Sequence, residues 1–258
     1  LNEDGYAKWT AKYDDRGNIA EEAYYGVDGS PCLDKDGVAK RTAKYDDRGN
    51  MIEVANYGVD GSPCLDEDSY AKETRKYDDR GNMTEVTYYG VDGSPCLSKE
   101  GIAKYTAKYD GRGNETEVAY YGVDGSPCLN EDGYAKVTCK YNDRGNETEE
   151  AYYGVDGSPC LNEDGYAKWT AKYDDRGNRI ESAYYGVDGS PCLSKGGIAK
   201  WTAQYDDRGN IIESACYGVN GNSCLCKNGF AKYTAKYDYR NNVIEILFFD
   251  TEGNRIVM

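Results

Sequence analysis

The sequence predicts an all-β protein: a tandem array of eight antiparallel β-hairpins, 32 residues each, wound into an elongated twisted ribbon or superhelical solenoid. Three observations predict it. The hexapeptide Tyr-Asp-Asp-Arg-Gly-Asn at 13–18 returns every 32 residues, so eight copies cover all but two of the 258 residues without insertion or deletion. A fixed period of that length marks stacked units rather than one global core. The composition supplies 27 Tyr but only 3 Phe, and Tyr with Thr, Val and Ile suits a half-exposed pleated surface. Gly and Asp recur together at regular intervals, as turns require.

Within residues 5–36, Tyr6 to Tyr13 contains no breaker and reads as the outgoing strand. Asp14-Asp15-Arg16-Gly17 has Asp first and Gly fourth, the pattern of a type I turn closed by a G1 bulge with positive φ at the glycine. Gly17, Gly49, Gly81, Gly113, Gly145, Gly177 and Gly209 hold this place, and Asn241 replaces them in the last copy. Asn is the next-best residue for that conformation. Asn18 to Tyr25 returns, and counting from the turn sets Tyr13 across from Ile19, Trp9 from Ala23 and Ala7 from Tyr25. One face would then carry Trp9, Ala11, Tyr13, Ile19, Glu21, Ala23 and Tyr25. A second turn (Gly26 to Ser30), a Pro31-Cys32-Leu33 connector confined to an edge by its proline, and a third turn (Asp34 to Gly37) complete the unit.

The chain is expected to form a single repeat domain over 1–258, with units 1–32, 33–64, 65–96, 97–128, 129–160, 161–192, 193–224 and 225–258. The last unit departs from the pattern (Val243 to Phe249, Asn254 to Met258) and reads as a C-terminal cap, because terminal repeats lack one neighbour. Leu1 aligns with Leu33, so the sequence starts inside the repeat phase and reads as a piece of a longer array.

Net charge is −15, which repels phosphate backbones, so no nucleic-acid partner is expected. No apolar run reaches the roughly 18 residues of a membrane span, and no membrane insertion is expected. Six cysteines follow Pro at 32-residue intervals, Cys224 follows Ser, and Cys139, Cys216 and Cys226 are extra; there is no histidine and no Cys-x-x-Cys. Zinc is therefore poorly supported and no metal or cofactor is expected. The repeated cysteines read as small hydrophobes. Strand spacing of about 4.8 Å holds equivalent thiols too far apart for a ladder of bridges, with Cys224–Cys226 or Cys216–Cys224 as exceptions.

No catalytic residue is expected, because every unit repeats the same groups and catalysis needs unlike groups in one pocket. The recurrent Arg16 and Glu21 read as structural ion pairs across the hairpin mouth. One position stands apart: Trp9, Arg41, Glu73, Tyr105, Val137, Trp169, Trp201 and Tyr233 are equivalents. The two readings are an unconstrained surface position and a strip of recognition residues. Position 19 (Ile19, Met51, Met83, Glu115, Glu147, Arg179, Ile211, Val243) varies as well.

The motif Tyr-Asp-x-x-Gly-Asn at 13–18 and its copies resembles the core of the YD repeats of the RHS family, bacterial proteins whose tandem hairpins wind into shells or stalks. The resemblance covers all eight units and rests on about five residues in each. It implies a surface or scaffold role and favours a cell-surface or secreted location over the cytoplasm. The leading expectation is a non-enzymatic scaffold binding protein or glycan along the variable strip; the alternative is a self-associating fibre or stalk element.

Overall fold

The computed structural model describes residues 4–257, and every element in it is a β-strand or a turn. The chain divides into two compact units, Leu1–Glu131 and Asp132–Met258. In the first, β1 (Lys8–Tyr13) pairs with β2 (Ile19–Tyr25), β3 (Lys40–Tyr45) with β4 (Met51–Tyr57), β5 (Lys72–Tyr77) with β6 (Met83–Tyr89), and β7 (Lys104–Tyr109) with β8 (Glu115–Tyr121). In the second, β9 (Lys136–Tyr141) pairs with β10 (Glu147–Tyr153), β11 (Lys168–Tyr173) with β12 (Arg179–Tyr185), β13 (Lys200–Tyr205) with β14 (Ile211–Tyr217), and β15 (Lys232–Tyr237) with β16 (Val243–Phe249). All pairings are antiparallel. Within each unit, successive hairpins join through three-residue ladders, for example Glu21↔Thr42, Glu22↔Arg41 and Ala23↔Lys40. Among the described residues no pairing joins β1 to β8, or β9 to the short β17 (Arg255–Ile256), so neither unit closes into a barrel.

The recurring hexapeptide is explained atom by atom. Asp46 Oδ1 accepts from the backbone N–H groups of Arg48 and Asn50 at 2.9 Å each, and its Oδ2 accepts from Asn50 Nδ2. Gly49 closes the turn at φ +87°, its N–H donating to Asp46 O at 3.1 Å. Asn241 takes the same place at φ +65°. The motif's tyrosine reaches back one repeat: Tyr45, Tyr77 and Tyr109 each donate to the main-chain oxygen of Ile19, Met51 and Met83 at 2.9 Å. Tyr173, Tyr205 and Tyr237 do the same to Glu147, Arg179 and Ile211. The arginine reaches forward, Arg16 to Asp47 at 2.9 Å and Arg176 to Asp207 at 3.1 Å. The hexapeptide is thus both a turn and a clasp between neighbours.

The arginine pairing corrects the expectation of an ion pair across one hairpin's own mouth. Within a hairpin the pair is instead lysine with glutamate, Lys12–Glu21 and Lys44–Glu53 at 2.7 Å, because those residues stand opposite in the register.

The register itself departs from the expectation. Tyr13 does face Ile19, but Lys12 faces Glu21, so Ala20 has no opposite number and Trp9 faces Tyr24 rather than Ala23. Each of the eight hairpins carries this second bulge at the equivalent place. An extra residue in one strand flips every side chain beyond it to the other face. Positions 9, 11 and 13 therefore share a face with 19, 22 and 24, while 8, 10 and 12 share the other with 21, 23 and 25.

What core there is lies where the third turn and the start of each outgoing strand fold against position 24. Val38 and Ile102 are fully buried there, each contributing about 1.5–3 kcal/mol by burial. In other copies aromatic pairs fill the space: Tyr6–Tyr24, Tyr70–Tyr88 and Tyr166–Tyr184 have ring centroids 4.9 Å apart. The alanine just before the outgoing strand is buried in seven copies (Ala39, Ala71, Ala103, Ala135, Ala167, Ala199, Ala231), where a larger side chain has no room, whereas Ala7 is exposed. β17 pairs with β16 as the Pro31 connector pairs with Tyr25, so the backbone of the final copy keeps the common pattern while its side chains change.

Candidate functional site

With the bulge in place, sequence variation sorts by face. On one face Lys8, Thr10, Glu21 and Tyr25 recur nearly unchanged in every copy, and Lys12 gives way only to Gln204. There the lysine ammonium lies over the tyrosine ring, at 4.5 Å for Lys40–Tyr57 and Lys72–Tyr89 and 4.7 Å for Lys104–Tyr121 and Lys200–Tyr217. Such contacts at partly exposed sites are worth about 0.5–1 kcal/mol each. On the other face positions 9, 19, 22 and 24 all vary. Counting from the turn without the bulge splits that set between two faces, which is why the sequence alone isolated only positions 9 and 19.

The candidate strip occupies this variable face in a graded way. Trp9 is 42 % exposed, while Glu73, Val137 and Trp169 are at most 9 % exposed. Arg41, Tyr105, Trp201 and Tyr233 are half-buried. Arg41, Glu73, Tyr105, Trp169, Trp201 and Tyr233 each sit between position 24 of their own hairpin and position 22 of the one before, as Glu73 sits between Tyr88 and Val54. The residues are packed side by side rather than standing free. The turn residues Gly17, Gly49, Gly81, Gly113, Gly145, Gly177, Gly209 and Asn241 all have positive φ.

Two clusters give the face its chemistry. In the first unit, Arg41 pairs with Asp36 at 2.6 Å and with Asp34 at 3.5 Å, and Arg75 pairs with Glu73. Asn56 replaces the usual tyrosine there, and its Nδ2 donates to Asp66 Oδ2 at 2.9 Å. The missing ring leaves a cavity of about 170 Å³ walled by these groups with Tyr70. Burial raises the Asp66 carboxyl above its ordinary range. An adjoining cavity of about 210 Å³ is lined by Ile19, Arg41, Tyr45, Met51 and Val54. In the second unit, the Arg179 guanidinium lies 5.8 Å from the Trp169 ring and 5.4 Å from the Trp201 ring. Trp201 Nε1 donates to Ser214 Oγ at 2.7 Å, which fixes the indole.

One grouping not singled out in the sequence is Cys139, Glu147 and Glu150, whose ligand atoms lie within 4.8 Å of one another. The signal was present, since Cys139 stands at a variable-face position where six of the other seven copies carry alanine and one carries Arg75. Burial is the main cause that pushes the Cys139 thiol far up, and burial also raises Glu150. A cation there would have to displace the Cys139 proton.

The repeated cysteines are half-buried rather than buried. Each thiol faces the main-chain oxygen that closes the third turn of the preceding repeat, as Cys64 faces Gly37 O at 3.8 Å and Cys192 faces Gly165 O at 3.7 Å.

No family model matches the chain, and no curated protein matches it. Among solved structures, the TcdB2-TccC3-TEV crystal structure aligns with a TM-score of 0.41 and 13% identity over 93% of this chain and 11% of that one. A Photorhabdus luminescens Tc holotoxin pore aligns with a TM-score of 0.31 and 11% identity, over 94% of this chain and 13% of that one. A porin-like protein from Bacteroides uniformis aligns with a TM-score of 0.24 and 9% identity, over 81% of this chain and 87% of that one. The chain thus spans about a tenth of the length of the Tc structures. At these TM-scores the alignments carry no argument, and the repeated β-hairpin fold stands on the strand pairings.

Proposed function

We propose that this chain is a non-enzymatic repeat scaffold of the RHS/YD-repeat kind, which presents its variable face to an extended protein or glycan. The observation that carries the reading is the sorting of variation by face. Residues that clasp neighbour to neighbour are nearly invariant among the copies, while positions 9, 19, 22 and 24 differ and are gathered side by side. Trp beside Arg, as at the buried Trp169, Arg179 and the half-buried Trp201, is the kind of side-chain pairing that carries much of the binding energy at interfaces.

The test uses the chain's own repertoire. Trp201→Val and Arg179→Ile each install a residue that another copy already accommodates at that position (Val137, Ile19). The labelled full chain, its two variants and a constant-face control, Lys200→Ala, are applied to immobilised glycans and proteins. The reading expects at least a tenfold loss of the parent's binding in both variants, with the control unchanged. Equal loss in the control, or none in the variants, defeats it.

Self-association is a second reading, favoured by β16. Val243, Ile244 and Ile246 are exposed, and Glu245 to Leu247 have no partner strand on their outer side among the described residues. Sedimentation across a concentration series separates the readings, since a filament grows with concentration and a monomeric binder does not.

A further inference from the structure

The seventh repeat gathers three of the ten cysteines within eleven positions, Cys216, Cys224 and Cys226. Cys224 belongs to the regular row, its thiol against Gly197 O at 3.8 Å. The other two occupy positions 24 and 34 of the repeat, and those positions touch in copies with quite different side chains. Asn56 Nδ2 donates to Asp66 Oδ2 at 2.9 Å, and Tyr152 shares a side-chain hydrogen bond with Asn162. In the seventh repeat the same two places hold Cys216 and Cys226, and their side chains lie near enough for each thiol to act on the other. The backbone holds them there. Cys224 N–H donates to Cys216 O at 3.1 Å, and Cys226 opens the third turn, donating to Phe230 O and accepting from Gly229 N–H at 2.8 Å each.

We infer that Cys216 and Cys226 form a redox modification site, closed to an intrachain disulfide by a small-molecule disulfide such as oxidised glutathione. This pair differs from those the sequence singled out, Cys224–Cys226 and Cys216–Cys224. Two thiols on positions whose side chains meet in another copy need side-chain rotation, not a new backbone path, to reach the S–S length of about 2.05 Å. Their exposures order the chemistry. Cys226 is partly exposed and Cys216 is 4 % exposed, so Cys226 meets the reagent first.

The Cys226 thiolate attacks one sulfur of the reagent, the reagent's S–S bond breaks, and one small thiol leaves. The Cys216 sulfur then attacks Cys226 Sγ in the mixed disulfide, forming the protein S–S bond and releasing the second small thiol. Two protein thiols lose two electrons, the reagent disulfide gains them, and the two protons leave with the two small thiols. Burial pushes the Cys216 thiol up to about 12, which slows its attack, so the second step depends on proximity to the mixed disulfide to offset the small thiolate fraction. The bridge would tie the connector that follows β14 to β14 itself, two residues along that strand from Ser214 and its hydrogen bond to Trp201.

The test treats the full chain with excess oxidised glutathione, blocks remaining thiols with an alkylating agent, and reads the tryptic peptide 209–227 by mass, since it holds all three cysteines. The inference expects one alkylated cysteine and a peptide lighter by two hydrogens, retained in Cys224→Ser and lost in Cys226→Ser. Serine is already native at the equivalent Ser194, paired there with Tyr184. The double variant Cys216→Tyr with Cys226→Ser reproduces that combination, so it provides a folded control that cannot close. Three alkylated cysteines, a stable glutathione adduct without closure, or a bridge that disappears in Cys224→Ser each overturn the inference.

Discussion

Gly49→Ala isolates the backbone term of the repeating turn. Gly49 sits at φ +87°, and a Cβ built on it meets nothing within 4 Å. No clash with a neighbour can contribute, so the whole cost is that of holding an L-residue in the left-handed region, about 1–2 kcal/mol. Gly49→Asn should cost less, because Asn241 takes the equivalent position in the last copy at φ +65°. Gly177, in the second unit, is at φ +89° with only the Asn146 amide end at 3.6 Å, and its alanine variant should cost a similar amount. The two lie four repeats apart in the sequence, in separate units, and should add to about 2–4 kcal/mol. Urea unfolding followed by far-UV circular dichroism reads these differences at constant slope. If Gly49→Ala unfolds within a few tenths of a kcal/mol of the parent while Gly49→Asn is worse, the turn does not fold as described.

Ser69 occupies the third-turn glycine position at φ +72°, so Ser69→Gly should stabilise the chain by about 1 kcal/mol in the same assay. Tyr77→Phe removes the hydroxyl that donates to Met51 O at 2.9 Å and should cost about 0.5–1.5 kcal/mol. Stability should also fall in acid. Asp46, Asp78 and Asp206 are held below the ordinary aspartate range, chiefly by the side-chain amides of Asn50, Asn82 and Asn210. A depressed carboxyl contributes fully above its unfolded pKa of about 3.9 and loses that contribution as pH drops through the folded value. Urea midpoints should therefore decline from about pH 4 downward, and Asn50→Ala should raise the Asp46 pKa in a carbon-detected NMR titration.

Much of this fold is legible because the period is exact. The turn glycines, the Asn241 exception and the strand limits follow from local backbone chemistry that eight copies repeat. The clasp between repeats is not legible in that way. Nothing in Tyr45 or Arg16 says that one reaches back to Ile19 O and the other forward to Asp47, since both contacts depend on how hairpins are placed side by side. The face assignment failed for a sharper reason. The bulge at Ala20 and its equivalents involves no glycine or proline, because these residues keep ordinary negative φ, so no breaker marks it. The one available sign was indirect: position 22 (Glu22, Val54, Val86, Val118, Glu150, Ser182, Ser214, Ile246) varies as position 9 does. The same placement of repeats half-buries the strip and brings Arg179 between Trp169 and Trp201, and side-chain identity alone could not foresee either.

Everything said of the variable face depends on that bulge, and repeat two offers a direct check because Arg41 and Asn56 are distinctive residues there. Selective isotope labelling with cross-strand proton contacts measured by NMR would read the register. The account predicts contact between the backbone protons of Arg41 and Asn56, and of Thr42 and Ala55, the pairs that stand opposite in β3 and β4. Contact of Arg41 with Ala55 in place of Asn56 would put positions 9 and 24 on opposite faces and contradict it.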